Sequence, residues 1–348
     1  MYNKKMKLLG LLSSLAVVGS LTLGTVSANA ATVAQSQNET YSYNKKAYVN
    51  NPELQFDLKV RTSPDLNGKV DGYLYNFEDV KILGSVVANG TLWDKISYKN
   101  GISYVSDAYI MHYNSPSDNV VAIARNITKQ FEVGNSNQIA GNFDGQGLSL
   151  GYLQWCIGQG TLQPLLNRMD REYNAEMKSI FGANYDSIHN MILDTKENQL
   201  AWAKAINTFD NKIMEPWYSQ FVNLYNNQDF INIEADSTAY KVGQAMIICD
   251  KYNLKTVRGF ALAFDIAVQN GSISAEAAKV VDTALAQNPN MNEKDLLKVI
   301  ANAVADAAVT NNNDIRLRKM AIVNGSGIVH GFFLDLDKNY GLSDISWR

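Results

Sequence analysis

Two carboxylates, Glu132 and Asp144, stand twelve residues apart in the one polar, glycine-rich stretch of a region otherwise marked by apolar stripes. The stretch reads Phe131-Glu132-Val133-Gly134, a polar loop, then Asn142-Phe143-Asp144-Gly145-Gln146-Gly147-Leu148-Ser149-Leu150-Gly151-Tyr152-Leu153-Gln154-Trp155. Such a pair suits glycoside hydrolysis. One carboxyl must stay protonated and give its proton to the leaving oxygen, while the other must be ionised and activate water or attack the sugar. Glu132 follows Ile127 and Phe131 at helical spacing, an apolar setting of the kind that keeps a carboxyl protonated by desolvation. Asp144 lies among glycines and exposed backbone amides, the surroundings of an ionised group. The assignment is therefore Glu132 as general acid and Asp144 as general base, with Ser149 placed to hold the attacking water. A surface acid and a plain Asp-Gly hairpin are the competing readings of the same residues.

These residues need a helix end and a turn to position them. The spacing of Val120, Ile123, Ile127 and Phe131 predicts a helix that stops near Glu132, because Gly134-Asn135 are stop residues. Gly145 and Gly147 permit a tight turn that lifts Asp144 to the mouth of a cleft. Further helices are predicted from Leu162/Leu165/Leu166/Met169, Leu200/Ala203/Ile206/Phe209, Val242/Met246/Ile247, Phe260/Ala263/Phe264/Val268 and Leu296/Leu297/Ile300/Val304, the last starting at Met291-Asn292. Ahead of them, residues 47–112 alternate short β-type runs with turn signals. Leu58–Arg61, Val80–Leu83, Trp93–Tyr98 and Ile102–Val105 are strands, with Asn89-Gly90 and Asn100-Gly101 as hairpin turns. Five or six short strands in that length make a small barrel.

The whole chain divides accordingly. Lys4, Lys5 and Lys7, the apolar run Leu8–Val26 and Ala28-Asn29-Ala30 predict a secretory signal peptide over 1–30. A linker over 31–46, the β unit at 47–112, a second linker at 113–118 and a helical domain at 119–348 follow. Removing the three signal-peptide lysines from 31 basic and 34 acidic residues leaves 28 − 34 = −6. That mild acidity argues against nucleic acid, which requires a basic face. No second apolar run of membrane-spanning length follows, so no membrane partner is expected after cleavage. Three scattered histidines and two cysteines, Cys156 and Cys249, show no metal-ligand spacing, and no cofactor or metal is expected. Whether the two thiols are bonded stays open. Asp335-x-Asp337-x-Asn339 looks like the opening of a calcium loop, but the required Gly is displaced to Gly341 and the closing Glu is missing.

Two resemblances extend this reading. The 47–112 unit resembles the bacterial SH3-like domain in Leu58-x-Val60-Arg61-x-Ser63-Pro64, Gly72-x-Leu74, Trp93-x-Lys95-Ile96 and Gly101-x-x-Tyr104-Val105-Ser106-x-x-Tyr109-Ile110. Glu78 and Asp79 stand where a Gly-Thr turn is usual. The stretch 132–156 resembles the active-site region of family 46 chitosanases, within the lysozyme-like superfamily, whose pattern is a catalytic Glu followed by Gly-Asp-Gly-Arg-Gly-x-Thr-x-Gly. The resemblance implies Glu132 as acid, Asp144 as base and Ser149 for the water-positioning Thr. Gln146 replaces the Arg, which puts chitosan specificity in doubt. Ser149-x-Gly151-x-x-Gln154 is similar to peptidoglycan-cleaving relatives. Asp265 in Arg258–Gly271, with Arg316 in Arg316-Leu317-Arg318, is implied as the ion network supporting the carboxylates.

The fold expected is thus a small all-β SH3-like barrel followed by a mainly α, lysozyme-like (α+β) domain with a short β-hairpin at the cleft. The function expected is that of a secreted, wall-associated glycosidase acting on peptidoglycan or a related amino-sugar polysaccharide, as a monomer. A chitosanase, a non-catalytic wall-binding protein and a lytic transglycosylase using Glu132 alone are the alternatives.

Overall fold

The computed structural model describes residues 45–52, 57–133, 139–309 and 312–348, without the side chains of Glu132 and Val133. The expected signal peptide and nearly all of the first linker lie outside the described residues. Among those described, no helix is long and apolar enough to cross a membrane.

The N-terminal region is β-rich. Its strands are β1 (Lys45–Val49), β2 (Leu58–Arg61), β3 (Val70–Leu74), β4 (Ile82–Ala88), β5 (Thr91–Tyr98), β6 (Gly101–Ser106) and β7 (Ile110–Asn114). Five of them form an antiparallel sheet in the order β3-β2-β6-β5-β4, and β1 pairs with β7. The turns follow their residues. Asn89 and Gly90, both at positive φ, join β4 to β5, the condition of a tight two-residue hairpin. The next hairpin turns on Lys99 and Asn100, also at positive φ, so Gly101 pairs with Tyr98 as the first residue of β6 and is not in the turn. Val49, Leu58, Val60, Leu74, Val80, Ile96 and Val105 close a small apolar core.

The remainder is mainly helical. It opens with α1 (Asp118–Val133), then a three-stranded antiparallel patch of β8 (Ile139–Ala140), β9 (Ser149–Leu150) and β10 (Trp155–Cys156), with β9 in the middle. Helices α2 (Gln163–Glu172), α3 (Asn174–Phe181), α4 (Tyr185–Ile192), α5 (Lys196–Ala205) and α6 (Trp217–Tyr225) come next. They are followed by α7 (Gln228–Tyr252), α8 (Val257–Gln269), α9 (Ala275–Gln287), α10 (Glu293–Asp306) and α11 (Asn312–Asn324). A β-ribbon of β11 (Ser326–Val329) and β12 (Phe332–Asp335) and the short α12 (Leu336–Tyr340) complete the chain. Side-chain caps from Thr195, Asn227, Thr256, Ser274 and Asn292 start five of the helices. Every residue from Val257 to Val268 is buried, so α8 is the central helix, packed by α1, α7, α10 and α11.

One expected helix is shorter than its periodicity suggests. The Leu200/Ala203/Ile206 stripe ends with α5 at Ala205, and Phe209 is fully exposed in the following loop. The cause is Asn207, whose side-chain amide turns back onto the Ala203 carbonyl and closes the helix.

The β-rich and helical regions share side chains. Phe77, on a positive-φ turn, leaves the sheet core and stacks on Tyr240 of α7 at 3.9 Å, with Trp155 at 6.1 Å. Tyr48 of β1 is fully buried against Gly243 of α7, where even a Cβ would lie 2.4 Å from the Tyr48 ring. Glu78 faces Arg168 of α2 at 3.8 Å, and Asn167 donates to Asp57. The stretch 113–118, read as a linker, carries the end of β7 and the start of α1, and its Tyr113 packs on Tyr48.

Candidate active site

Glu132 stands in the last turn of α1, and its side chain lies outside the described residues. Asp144 stands on the loop between β8 and β9, exposed to solvent. That loop is tied down residue by residue. Asn142 Oδ1 accepts from the Gly147 amide, while Asn207 Oδ1 accepts from the Asn142 amide and Asn207 Nδ2 donates to the Gly147 carbonyl. Asp144 Oδ1 accepts from the Gln146 amide at 3.1 Å, which leaves Oδ2 of this exposed side chain for other contacts. Gly147 is needed twice over: φ is +80°, and a Cβ would come within 2.6 Å of the Ala203 Cβ. Gly147→Ala is therefore expected to destabilise the protein by about 1–3 kcal/mol and to displace Asp144. Urea unfolding checks the first effect; a variant as stable as the parent would contradict it.

Gln146 does not face the solvent beside Asp144. Its side chain turns inward over Gly158, where a Cβ would meet Gln146 Oε1 at 2.2 Å, and lies 3.9 Å from Cys156 Sγ. Ser149 is buried in the middle strand, between Ala140 and Cys156. Gln154 sits at positive φ in the β9–β10 turn and donates to the Gly151 carbonyl. Cys156 and Cys249 are both buried free thiols.

Asp265 of α8 is fully buried and bound by Arg318 at 2.7 Å, Lys319 at 3.2 Å and Thr128 of α1 at 3.4 Å. Burial alone would raise its carboxyl, but Arg318 and Lys319 outweigh that and hold it below its ordinary value. The Arg318 guanidinium lies over the Phe131 ring at 5.2 Å. The network therefore braces the last turn of α1, which carries Glu132. Arg316 is not part of it. Residues two apart point to opposite faces of a helix, and Arg316 pairs outward with Asn302 and Asp306. The partner of Asp265 expected at 316 is supplied at 318 and 319.

Among the buried charged residues that the sequence did not point to are two on α7. Glu234 of α7 lies beneath the β9–β10 turn, accepting from Trp155 Nε1 at 3.2 Å, and a Cβ on Gly151 would touch it at 2.4 Å. Lys241, two turns further along the same face of α7, donates to the Ala267 carbonyl at 3.2 Å and lies 5.1 Å from the Trp155 ring centroid. Burial pushes Glu234 up to about 7 and Lys241 down to about 8. Both occupy the inner face marked by Phe230, Ile233, Ser237 and Val242. A charged residue at helical spacing on an apolar stripe was the available signal.

Glu78, at the junction of the two regions, is also pushed up to about 7 by burial, with Arg168 opposing. Glu78 and Glu234 thus keep protons in the folded state that the unfolded chain loses near its ordinary value of 4.5. The sign follows: stability is greatest at low pH in this window, falls as pH rises from about 4.5 to about 7, and then levels off. Each shift corresponds to about 3 kcal/mol. Asp265 acts below this window, and Lys241 and Lys319, both driven down to about 8 by burial, act above it. The urea midpoint is expected to be higher at pH 5 than at pH 7.5, with Glu234→Gln removing much of the difference. A midpoint higher at pH 7.5 would contradict the assignment.

The other charged sequence features are engaged structurally. Asp335 caps α12 and Asp337 pairs with Arg258 at 3.1 Å, so the calcium-like stretch is a capped helix start. His189 pairs with Asp170, and His330 with Asp314. On the β-rich region a cleft of about 320 Å³ is lined by Asp57, Lys59, Arg61, Leu66, Trp93 and Tyr109. No family model matches the chain, and neither a curated protein nor a solved structure matches it.

Proposed function

We propose that the chain is a secreted glycoside hydrolase cutting β-1,4 bonds of an amino-sugar polymer, with cell-wall peptidoglycan as its substrate. On this reading the β-rich region is a bacterial SH3-like domain that holds the enzyme on the wall, its 320 Å³ cleft taking a wall peptide. The helical region is then a lysozyme-like domain with its β-hairpin at the cleft. Glu132 protonates the leaving oxygen as the glycosidic C–O bond breaks. Water bonds to the anomeric carbon from the opposite face, and Asp144 takes its proton. Ser149 is assigned to hold that water. Inversion of this kind requires carboxyls at least ~6.5 Å apart.

The observation that carries the reading is the setting of Asp144. It is an exposed carboxylate on a loop clamped by Asn142 and Asn207, beyond β8 in the stretch that follows the helix whose last turn carries Glu132. Bracing of that helix end by Asp265 and Arg318 supports it as well. So do Phe143 and Phe209, exposed aromatic rings on the two loops that Asn207 ties together and suited to stacking on sugar faces.

The test is release of new reducing ends from purified peptidoglycan and, separately, from chitosan, with Glu132→Gln and Asp144→Asn alongside. Release from peptidoglycan, abolished in both variants, is the expected result. Release from chitosan alone would move the substrate to that polymer. No release from either by folded protein would favour a wall-binding protein without activity.

A further inference from the structure

We propose that Asp94, Asp107 and His112 form a binding site for one divalent transition-metal ion of the zinc class. The three residues are far apart in kind of element. Asp94 is on β5, Asp107 opens the 3-10 turn Asp107–Tyr109, and His112 is on β7. Folding brings one donor atom of each within 4.8 Å of the others. His112 Nε2 lies 3.0 Å from Asp94 Oδ2 and 2.9 Å from Asp107 Oδ1.

A single N–H cannot satisfy both carboxylates. The geometric hydrogen bond of His112 goes to Asp107, and among the described residues Asp94 Oδ2, on a side chain with no exposed surface, has the shared His112 Nε2 at 3.0 Å and no hydrogen-bond donor of its own. A buried, aimed carboxylate oxygen without a donor is costly. One cation in place of the imidazole proton would serve all three atoms. Donors about 2.1 Å from a common ion at tetrahedral to octahedral angles stand about 3.0–3.4 Å apart, so the two separations from His112 Nε2 need to open by only tenths of an ångström.

The donor set selects the ion. An imidazole nitrogen with two carboxylate oxygens favours zinc and its neighbours over magnesium or calcium, which prefer oxygen alone. Two negative charges balance a dication. Ser85 Oγ donates to Asp94 Oδ1 at 3.0 Å and so turns Oδ2 into the site, as an outer-shell residue should. Asp107 and His112 are each about a quarter exposed (26% and 21%), which gives the ion an entry path and room for water to complete its shell. Bound there, the ion would cross-link β5 to β7, the strand that leads into α1. The inference does not depend on the hydrolase reading.

The experiment uses the full chain, purified without a histidine tag and stripped with chelator, titrated with zinc sulfate by calorimetry. A stoichiometry of one is expected. Asp107→Asn and His112→Gln are expected to abolish it, and Ser85→Ala to weaken it about 10-fold. Cobalt(II) should give visible absorption in the parent that disappears in Asp107→Asn. Because His112→Gln removes a packed side chain, the two milder variants decide should it fail to fold. Absence of zinc uptake by the parent, or uptake unchanged in Asp107→Asn and Ser85→Ala, would overturn the proposal.

Discussion

Asp144→Asn is expected to lower the rate of glycan cleavage by about 10²–10⁴-fold, the usual cost of removing a positioned general base. Binding should change little. The substitution keeps the shape of the side chain, and the amide oxygen can still accept from the Gln146 amide. The loop is also held by Asn142 and Asn207. The loss should therefore fall on kcat, with KM nearly unchanged. Glu132→Gln should lose at least as much. Steady-state kinetics on soluble glycan fragments check both. A variant that lost affinity while keeping kcat would mean that Asp144 binds substrate and does not act on water.

Asp265→Ala is expected to cost about 3–5 kcal/mol of stability, because it strands two buried cations. Arg318 and Lys319 are both nearly inaccessible, and their shared carboxylate lies between them at 2.7 and 3.2 Å. Burial already drives Lys319 down to about 8 with Asp265 in place. Without that carboxylate it would shed its proton at neutral pH, while Arg318 would stay charged. The same change releases Thr128 and loosens the packing of Arg318 on Phe131, so the end of α1 loses its brace. Arg316→Ala, on the outer face, should cost under about 1 kcal/mol. Urea unfolding of the two variants separates them. Equal losses would refute the placement of the network at 318 and 319.

What was legible in the sequence was local. Asn89-Gly90 announced its hairpin because a tight turn needs two residues that tolerate positive φ. Asn292 announced the start of α10, because its side chain accepts the third amide. Gly145 and Gly147 marked the turn under Asp144 for the same steric reason. What was not legible depends on partners far along the chain. Phe209 continued an apolar period past the end of its helix, because Asn207 stops α5 with a hydrogen bond that no periodicity records. Arg316 was the expected partner of Asp265, but the helix face gives that place to Arg318. Glu234 and Lys241 stand in no recognisable motif, yet they are enclosed by Trp155 and the α7–α8 contact. Glu78 looked like turn variation but meets Arg168 of the helical region. Asp94, Asp107 and His112 have no motif spacing at all. Their convergence comes from the pairing of β5 with β6 and the turn into β7.

The central claim, that two carboxylates hydrolyse a glycan with water as the nucleophile, is tested most directly by proton NMR of freshly cleaved peptidoglycan fragments. The account predicts a new reducing end that appears first as the α-anomer from a β-linked substrate and is absent with Asp144→Asn. A 1,6-anhydro end, or cleavage that persists in Asp144→Asn while Glu132→Gln is dead, would contradict it.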